Sequence, residues 1–489
     1  MRSAYDAAAV RAAEQPLLAS LPEGTLMQRA SFALARRCAA LLGRTYGSRV
    51  VLLVGSGGNG GDALYAGAKL AERGARVDAL LLADRLHAPA LAALHRAGGR
   101  SKPAGADSDR LLLGQAELVI DGMVGIGATG ELRESMAGLA RMLDAADATV
   151  VAVDVPSGVD ASTGEVPGVA VRADVTVTFG AMKVGLLVSP GAEYAGLVEC
   201  IDIGLTMPAA SIQSLDADDV RDLLPAPSPE SDKYRRGVLG VVAGSDAYPG
   251  AADLVVGGAL ATGVGMVRFV STAGPSSAVR SAHPEAVVTE IAPGDADAML
   301  AAGRVQAWVV GPGLGTDDDA GRLVRAVLAT DLPVLLDADA ITIVAAAPDL
   351  VRARTAPTLL TPHAGEFARL TDGARTDIEA GRLSAVCDGA TALGATVLLK
   401  GSSTLVAAPD GEVRVNTAST PYLATAGSGD VLAGVCGALL AGGLDPLAAG
   451  SAGAFLHGLA GLIASGVPAH PISATDIVAN ISEALADLP

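Results

Sequence analysis

A glycine-rich segment that ends in an aspartate lies near the carboxyl terminus of the sequence. The segment Ala426–Asp430 (AGSGD) precedes an uninterrupted apolar run, Val431–Leu440. Glycines at a helix start expose backbone N–H groups, and the helix dipole adds positive potential, so this segment is suited to hold a phosphoryl group. Asp430 is placed to take a proton from an attacking hydroxyl. The alternative is a simple helix start with an acidic residue in its first turn.

Four other segments follow strand-like runs and carry groups that bind phosphate or a small ligand. They are Gly311–Gly315 (GPGLG), Leu336–Ala340 (LDADA), Thr361–Glu366 (TPHAGE) and Lys400–Thr404 (KGSST). Lys400 brings a compact cation, and the residues after it bring free amides and hydroxyls. His363 stands on a loop between a proline and a glycine, which favours ligand contact over a structural histidine.

The amino-terminal half has its own glycine-rich loop, Gly55–Asp62 (GSGGNGGD), between a strand-like run and a helix-like run. It contains a G-x-G-x-x-G spacing, which is typical of dinucleotide-binding domains. A tight strand-to-helix turn without a ligand explains the same glycines. The loop by itself leaves both interpretations open.

Oxygen-bearing side chains stand in this loop and after the next two strand-like runs. They are Asn59 and Asp62, then Asp121 before a second glycine-rich stretch, and then Asp154 and Ser157 in DVPSGVD. The carboxyl ends of parallel strands meet at one edge of a sheet, where ligands bind. Three such loops predict a hard-cation site beside a polar substrate. For any single aspartate, capping of the following helix is the alternative.

These loops are positioned by strands that alternate with helices. The strands have the continuous apolar sequences of buried parallel strands, and the alternation predicts a doubly wound α/β fold. The strand candidates are Val50–Val54, Val77–Leu82, Leu118–Ile120, Val150–Val153 and Val175–Phe179, then Val238–Ala243, Val305–Val310, Val334–Leu336, Thr358–Leu360 and Thr396–Leu399. A helix is predicted over 25–42 with Thr25 as its N-cap. The proline- and serine-rich stretch Leu224–Lys233 predicts a linker between two domains, 1–215 and 225–489.

Composition excludes several classes of protein. The formal net charge of −18 argues against non-specific nucleic-acid binding, because phosphates would not be neutralised. The four cysteines lie far apart, which indicates neither a disulfide framework nor a zinc site. Early acidic residues argue against a signal peptide. Apolar stretches are interrupted by Gly, Asp or Arg before they reach membrane-spanning length, so we expect a soluble, cytoplasmic protein with no membrane partner.

The motifs GNGGD, DGMVGIG, DVPSGVD and TFGAMKVGL, in this order, resemble those of the NAD(P)H-hydrate epimerase family over about residues 1–210. The resemblance implies a Rossmann-like domain that binds hydrated NAD(P)H and a potassium ion held by Asn59, Asp121 and Ser157. The implied hydrate-binding residues are Gly58, Asn59, Gly60, Gly61, Asp62, Gly125, Ile126, Gly127, Ala128, Thr129, Gly130, Glu131 and Asp154.

The second half is similar to the ribokinase-like superfamily and, within it, to the ADP/ATP-dependent NAD(P)H-hydrate dehydratases. The motifs that carry this resemblance over about 225–489 are KYRRG, AGSDAYPGAA, GPGLG, LDADA, LTPHAGEF, LLKGSST, ATAGSGDVLAG and AFLHGLAG. It implies dehydration of the S epimer at the expense of ADP or ATP, with magnesium. The implied residues are Asp430 as base, Lys400, Gly401, Ser402, Ser403, Thr404 and Gly429 for the nucleotide, and Ala251, Gly313, His363 and Asp430 for the hydrate.

The epimers differ at the hydroxylated ring carbon C6, so epimerisation needs loss and return of the hydroxyl, or ring opening. A carboxylate such as Asp154 is suited to exchange a proton and to stabilise an iminium-like cation. Lys183 is a second candidate, for which a structural ion pair is the alternative. Two rival functions remain at this point: a vitamin-precursor kinase and a non-catalytic dinucleotide sensor. The resemblance alone leads us to expect a homo-oligomer.

Overall fold

The structure is a computed structural model that describes residues 1–105, 107–224, 230 and 232–489, with the backbone alone at 107 and 108. The chain forms two compact units. The N-terminal unit is Ser3–Ala210, and the C-terminal unit is Ser211–Pro489 together with Met1–Arg2. Most of the predicted linker at 224–233 lies outside the described residues.

The N-terminal unit alternates strands and helices as predicted. Its elements are β1 (Arg2–Tyr5), α1 (Ala7–Ser20), α2 (Thr25–Leu42), β2 (Arg49–Val54), α3 (Gly58–Glu72), β3 (Arg76–Leu81), α4 (Ala88–Arg96), β4 (Arg100–Pro103), α5 (Asp107–Gly114), β5 (Leu118–Gly122), α6 (Glu134–Leu143), β6 (Thr149–Val153), β7 (Val175–Phe179), β8 (Met182–Lys183), α7 (Ala192–Ala195) and β9 (Leu197–Ile201).

Seven strands form one parallel sheet in the order β4-β3-β2-β5-β6-β7-β9. This is the doubly wound Rossmann order with one additional edge strand, and its strand order reverses between β2 and β5. The strands are buried almost throughout, which explains their continuous apolar sequences. A ligand is therefore expected beyond the carboxyl ends of β2 and β5.

The turn from β2 into α3 is tight enough to require glycine. A Cβ at Gly55 would lie 1.7 Å from the carbonyl oxygen of Met123, and one at Gly60 would lie 2.3 Å from the carbonyl oxygen of Gly55. The predicted N-cap at Thr25 is wrong. Gly24 is the N-cap of α2, and the Thr25 hydroxyl donates instead to the carbonyl of Pro22 at 2.6 Å.

The C-terminal unit has a second βα series. Its elements are β10 (Ile212–Ser214), α8 (Ala217–Leu223), β11 (Val238–Val242), α9 (Pro249–Ala261), β12 (Met266–Ser271), α10 (Ala273–Ala282), β13 (Val287–Glu290), α11 (Ala296–Leu300), β14 (Ala307–Val310), α12 (Asp318–Leu328), β15 (Val334–Leu336), α13 (Asp339–Ala345), α14 (Asp349–Arg352), β16 (Thr358–Leu360), α15 (Ala364–Thr371), α16 (Arg375–Ala380), α17 (Arg382–Leu393), β17 (Thr396–Leu399), β18 (Thr404–Ala407), β19 (Val413–Asn416), α18 (Ser428–Ala441), α19 (Pro446–Ser465) and α20 (Ala474–Ala486).

The strand order within this unit is β13-β12-β11-β14-β15-β16-β17-β18-β19-β10. Pairs from β13 to β17 are parallel, and β17, β18 and β19 pair antiparallel. The units divide at Ala210, before the predicted first domain ends at residue 215. The cause is that β10 pairs in parallel with β19 and so packs with the second unit.

One expectation about apolar stretches is wrong. Helix α19 is long and apolar enough to cross a membrane by length and composition, but 61% of its most apolar window is buried inside the protein. Its glycines do not break the helix. Because they lack a Cβ, they let neighbouring elements pack closely against it. A Cβ at Gly453 would lie 2.4 Å from Sγ of Cys436 in α18. The helix is therefore a core helix of the C-terminal unit.

Candidate active sites

A cavity of about 560 Å³ opens in the N-terminal unit at the carboxyl ends of β2, β5 and β6. Its lining combines the predicted loops with helices α1 and α2. The lining residues that matter below are Arg11, Glu14, Asn59, Asp62, Gly125, Ile126, Gly127, Ala128, Asp154 and Phe179. The structure thus brings together side chains from loops that the sequence analysis placed at one sheet edge.

Asp154 follows β6 and forms an ion pair with Lys183 of β8. The Lys183 Nζ lies 2.5 Å from Oδ1 of Asp154, and both side chains are buried. The same Oδ1 accepts hydrogen bonds from the Thr178 hydroxyl at 2.9 Å and the Phe179 N–H at 3.2 Å. Asp154 has a φ of 69°, which an aspartate rarely adopts. The ion pair predicted as the alternative role of Lys183 is therefore present, and its partner is Asp154.

Asp62 and Glu14 add two further carboxyl groups to the cavity. Burial raises the pKa of Asp62 well above its usual range, and the nearby charges of Asp154 and Glu14 raise it further. Burial also raises the pKa of Glu14, with Asp154 contributing in the same direction. Oδ1 of Asp62 is buried and makes no hydrogen bond within the described part of the chain. This cavity therefore holds more carboxyl groups than its neighbouring cations neutralise.

The three residues implied as potassium ligands lie together beneath the cavity. Asp121 is fully buried, and its carboxylate accepts hydrogen bonds from the Ser157 hydroxyl at 2.7 Å and the Ser157 N–H at 2.8 Å. Asn59 donates through Nδ2 to the carbonyls of Val124 and Val153, which leaves Oδ1 as its ligand atom. None of the three caps a helix through its side chain. They supply an amide, a carboxylate and a hydroxyl oxygen.

The charge balance at Asp121 fits a bound monovalent cation. Burial raises the pKa of Asp121, although hydrogen bonds from Ser157 and Met123 act in the opposite direction. Among the described residues, no cationic side chain lies within 4 Å of Asp121. An uncompensated buried carboxylate is costly, and a cation beside it removes that cost.

The predicted hydrate-binding loops are only partly in this cavity. Gly125–Ala128 line it, whereas Thr129, Gly130 and Glu131 line a neighbouring cavity of about 170 Å³. Gly60 and Gly61 are not among the residues that line either cavity, and their contact with the hydrate stays a prediction. Gly60 packs against the Gly55 backbone, and a Cβ at Gly61 would lie 2.9 Å from the Met27 side chain.

Sequence reasoning missed the contribution of α1. Asp6 caps this helix by accepting from the Ala9 N–H at 2.7 Å, and Arg11 and Glu14 lie one turn apart on it. Phe179, at the end of β7, was also missed as part of the cavity wall. Asp6 followed by an alanine-rich run was a usable helix-start signal. Nothing local to that run indicated which site it would cover.

In the C-terminal unit, Asp430 stands in the first turn of α18. Its pKa is raised to about 7, chiefly by burial, with the charge of Asp337 acting in the same direction and Lys400 in the opposite one. A carboxylate with a pKa close to neutrality is matched to a general base. The position agrees with the predicted role of Asp430.

Lys400 lies between Asp337 and the start of α18. Its Nζ is 2.9 Å from Oδ1 of Asp337, which also accepts from the Thr361 hydroxyl at 2.8 Å. Burial lowers the pKa of Lys400, but Asp337 and Glu366 raise it overall, so it stays a cation. A Cβ at Gly429 would lie 3.2 Å from the same Nζ. Two predicted nucleotide residues, Lys400 and Gly429, are therefore adjacent.

His363 is both a helix cap and an exposed side chain. Its Nδ1 accepts from the N–H groups of Gly365 and Glu366 at 3.0 and 3.2 Å, and Glu366 accepts in turn from the His363 N–H at 2.8 Å. Burial lowers the pKa of His363. The ring is thus held with Nδ1 unprotonated, and its side chain is 56% exposed. A structural role is established, and its contact with a ligand stays a prediction.

The other predicted hydrate contacts, Ala251 and Gly313, are neighbours. Gly313 has a φ of 60°, and a Cβ there would lie 2.7 Å from Cβ of Ala251 and 3.0 Å from Cβ of Tyr248. Any larger residue at 313 would fill this space. The GPGLG loop after β14 therefore meets the start of α9.

The loop Lys400–Thr404 is held by an arginine that the sequence analysis did not single out. Arg382, at the start of α17, is buried, and its guanidinium donates to the carbonyls of Leu399, Lys400 and Ser403 at 3.0–3.3 Å. It also pairs with Glu379 at 2.6 Å. Ser402 and Ser403 have partners of their own. The loop is thus preorganised by a side chain beneath it.

The described residues contain no cluster of three or more His, Cys, Asp or Glu side chains arranged to hold a metal ion. This does not conflict with magnesium, which commonly binds through one or two carboxylates together with substrate phosphates and water. Asp337, Asp339 and Glu366 all lie close enough to affect the pKa of Asp430. The site therefore suits a magnesium ion that arrives with a nucleotide.

Comparisons with known proteins agree with this arrangement. Residues 23–185 match the family described as YjeF-related protein N-terminus, and residues 239–483 match the family described as NAD(P)H-hydrate dehydratase. The chain is 49% identical over 447 residues to the bifunctional NAD(P)H-hydrate repair enzyme Nnr of Mycobacterium tuberculosis H37Rv, covering 90% of this chain and 89% of that one. It is 47% identical to the protein of the same name from Mycobacterium leprae, covering 100% of both chains.

Solved structures match the C-terminal unit. The ADP/ATP-dependent NAD(P)H-hydrate dehydratase of Bacillus subtilis, co-crystallised with ATP/Mg²⁺, is 28% identical with a TM-score of 0.51, covering 57% of this chain and 100% of that one. A ribokinase-like superfamily protein of Enterococcus faecalis, 24% identical with a TM-score of 0.51, shares the fold. The predicted Rossmann-like and ribokinase-like classes are confirmed. The chain belongs to the family of bifunctional NAD(P)H-hydrate repair enzymes.

Proposed function

We propose that the protein restores NADH and NADPH from their hydrates through two active sites, one in each unit. The N-terminal site interconverts the R and S epimers, and the C-terminal site dehydrates the S epimer at the expense of ADP or ATP. The observation that carries the proposal is that each unit has a buried or partly buried carboxylate beside glycine-rich loops at the carboxyl edge of its sheet. In the first unit this residue is Asp154, and in the second it is Asp430.

In the N-terminal site, the cavity floor and the loops at Gly58 and Gly125–Ala128 hold the hydrate. Asn59, Asp121 and Ser157 would hold a potassium ion, which supplies positive charge next to the buried Asp121. Asp154, fixed by Lys183, Thr178 and the Phe179 N–H, presents negative charge to the cavity. This charge stabilises an iminium-like cation at the nicotinamide ring. The neighbouring loop Thr129–Glu131 contacts the more distant part of the dinucleotide.

In the C-terminal site, Asp430 takes the proton of the C6 hydroxyl as that oxygen attacks the terminal phosphoryl group of ADP or ATP. The P–O bond to the rest of the nucleotide breaks, and AMP or ADP leaves with its electron pair. The phosphorylated oxygen is then a good leaving group. The ring nitrogen expels phosphate from C6, and loss of a proton from C5 restores the dihydropyridine. Lys400, Gly401–Thr404 and Gly429 hold the nucleotide, and a magnesium ion bound with it would supply positive charge to its phosphates. Ala251, Gly313 and His363 line the hydrate pocket.

The substrates are small molecules, and we propose a cytosolic homo-oligomer without a membrane or nucleic-acid partner. Similarity that extends across both units favours this function over a vitamin-precursor kinase, which would need only the second unit. The same similarity favours a catalytic first unit over a non-catalytic dinucleotide sensor.

Two complementary variants test the assignment of one activity to each unit. Asp430→Asn should still convert pure R hydrate into an R and S mixture, while releasing no phosphate from ADP or ATP. Asp121→Asn should dehydrate pure S hydrate at the wild-type rate, while R hydrate persists. Chromatographic separation of the epimers measures the first reaction, and phosphate release measures the second. The proposal fails if either variant loses both activities while remaining folded, or retains both.

A further inference from the structure

Three carboxyl groups face the N-terminal cavity, and their surroundings differ sharply. Asp154 has a buried cation, Lys183, at 2.5 Å together with two further hydrogen-bond donors. Asp62 is 8% exposed, and its Oδ1 has no hydrogen-bond partner among the described residues. No cationic side chain in the described part of the chain lies within 4 Å of Asp62 or Glu14. The two environments therefore suit different roles.

Asp154 is poorly suited to exchange protons. A proton on its Oδ1 would displace three donors at once and would leave the ammonium of Lys183 buried without its partner. Lys183 also donates to the Phe179 carbonyl at 2.7 Å and to the Thr178 hydroxyl at 3.0 Å, so it cannot turn away to water. Asp154 is therefore held in place as the partner of Lys183, with three donors on its Oδ1. This differs from the sequence-based hypothesis, in which Asp154 both exchanges the proton and stabilises the cation.

Asp62 has the opposite properties. It lies on the second turn of α3, next to the glycine-rich loop, and its side chain is part of the cavity lining. The cavity lining also contains Glu14 and Arg11 from α1 and Asp154, which pairs with Lys183. The charges of Asp154 and Glu14 both disfavour the ionisation of Asp62. Arg11 lies beside the loop Gly125–Ala128, because a Cβ at Gly127 would contact its guanidinium.

We propose that Asp62 is the general acid and base of epimerisation, that Glu14 supports it from the same cavity lining, and that Asp154 acts only as a fixed negative charge. This inference rests on the proposed epimerase function of the N-terminal unit and identifies the residues that move its proton. Asp62 then exchanges the proton, and Asp154 stabilises the cation. A single carboxyl group would perform both tasks poorly, because they require different environments.

The step balances without a further reactant. Asp62 gives its proton to the C6 hydroxyl, and the C–O bond breaks with its electron pair leaving on water. The lone pair of N1 forms the N1=C6 double bond, and Asp154 offsets the resulting positive charge. Water then adds to C6 from the other face, its electron pair forming the new C–O bond as the N1=C6 pair returns to nitrogen. The proton that this water releases returns to Asp62.

The test compares three full-length variants with wild type, using pure R hydrate and separation of the epimers over time. Asp62→Asn is nearly isosteric and cannot donate the proton, so its epimerisation kcat should fall at least about 100-fold while KM stays within about threefold. Glu14→Gln should lower kcat about 10-fold because Asp62 remains. Glu72→Gln is the matched control, because it makes the same charge change on an exposed residue of the same helix, and should match wild type.

The near-ultraviolet circular dichroism of each variant shows whether the N-terminal unit is folded. Asp62→Asn with epimerisation within threefold of wild type would overturn the inference. So would a folded variant that raises KM and keeps kcat, because Asp62 would then only bind the hydrate. Failure of wild type itself to epimerise R hydrate would instead overturn the proposed function on which the inference rests.

Discussion

The ammonium of Lys183 lies 2.5 Å from the carboxylate of Asp154, and neither side chain is more than 10% exposed. The pair lies between the core of the N-terminal unit and its cavity. A buried ion pair contributes little net stability, but removal of one partner leaves an uncompensated buried charge.

We therefore expect Lys183→Met to lower the free energy of unfolding of the N-terminal unit by about 3–5 kcal/mol. The double variant Lys183→Met/Asp154→Asn should recover much of this loss and should remain inactive as an epimerase. Thermal unfolding followed by calorimetry measures the stability. Equal destabilisation of the single and double variants would show that packing, rather than charge, is the cause.

Potassium should matter to the first activity alone. Asn59, Asp121 and Ser157 meet at the floor of the N-terminal cavity, and Asp121 has no cationic side chain within 4 Å among the described residues. Replacing potassium chloride with choline chloride at equal ionic strength should slow epimerisation and leave dehydration of pure S hydrate unchanged.

Potassium should also raise the unfolding temperature of the N-terminal unit, because a ligand that binds the folded state stabilises it. In Asp121→Asn this increase should be absent. An equal increase in the variant and in wild type would assign the effect to general salt rather than to a bound ion.

The dehydration rate should depend on the ionisation of Asp430. Its pKa is raised to about 7, chiefly by burial. Because a base acts only when deprotonated, kcat/KM with S hydrate should rise about tenfold per pH unit below pH 7 and level off above it. Asp339 also raises the pKa of Asp430, so Asp339→Asn should move the midpoint to lower pH. A midpoint that moves upward, or no acid limb at all, would contradict the role of Asp430 as the base.

Arg382 should determine nucleotide affinity without touching the nucleotide. Its guanidinium holds three carbonyls at or next to the loop Lys400–Thr404. Arg382→Met should raise KM for ADP or ATP about 10-fold, or about 1.4 kcal/mol, with a smaller effect on kcat. Arg352→Met removes an exposed arginine of the same unit and serves as the control. If both variants change KM equally, the loop does not depend on Arg382.

The sequence predicted those features that follow from local pattern and from the geometry of a parallel sheet. Asp121 and Ser157 are 36 residues apart, yet each follows a predicted strand, so their meeting at one edge was expected. A glycine-rich segment before an apolar run likewise placed Asp430 at a helix start.

Features that depend on packing between distant segments could not be predicted in the same way. Helix α1 places Glu14 in the cavity lining, but no motif in that helix indicates which site it contributes to. Lys183 lies on a strand of two residues, and its pairing with Asp154 was only one of two alternatives. Arg382 donates hydrogen bonds to backbone carbonyls, and no side-chain motif in the sequence indicates such contacts. Glycines in α19 suggested interruption, whereas in three dimensions they permit close packing.

The most direct test of the two-site function uses the purified full-length protein with a mixed pool of R and S NADH hydrates and magnesium. ADP and ATP are supplied in separate reactions, and the absorbance of intact dihydronicotinamide is followed together with phosphate release. We predict recovery of the whole pool with at least one nucleotide, accompanied by phosphate in equal amount. Recovery that stops at the S fraction would contradict epimerisation by the first unit, and no recovery with either nucleotide would contradict the repair function as a whole.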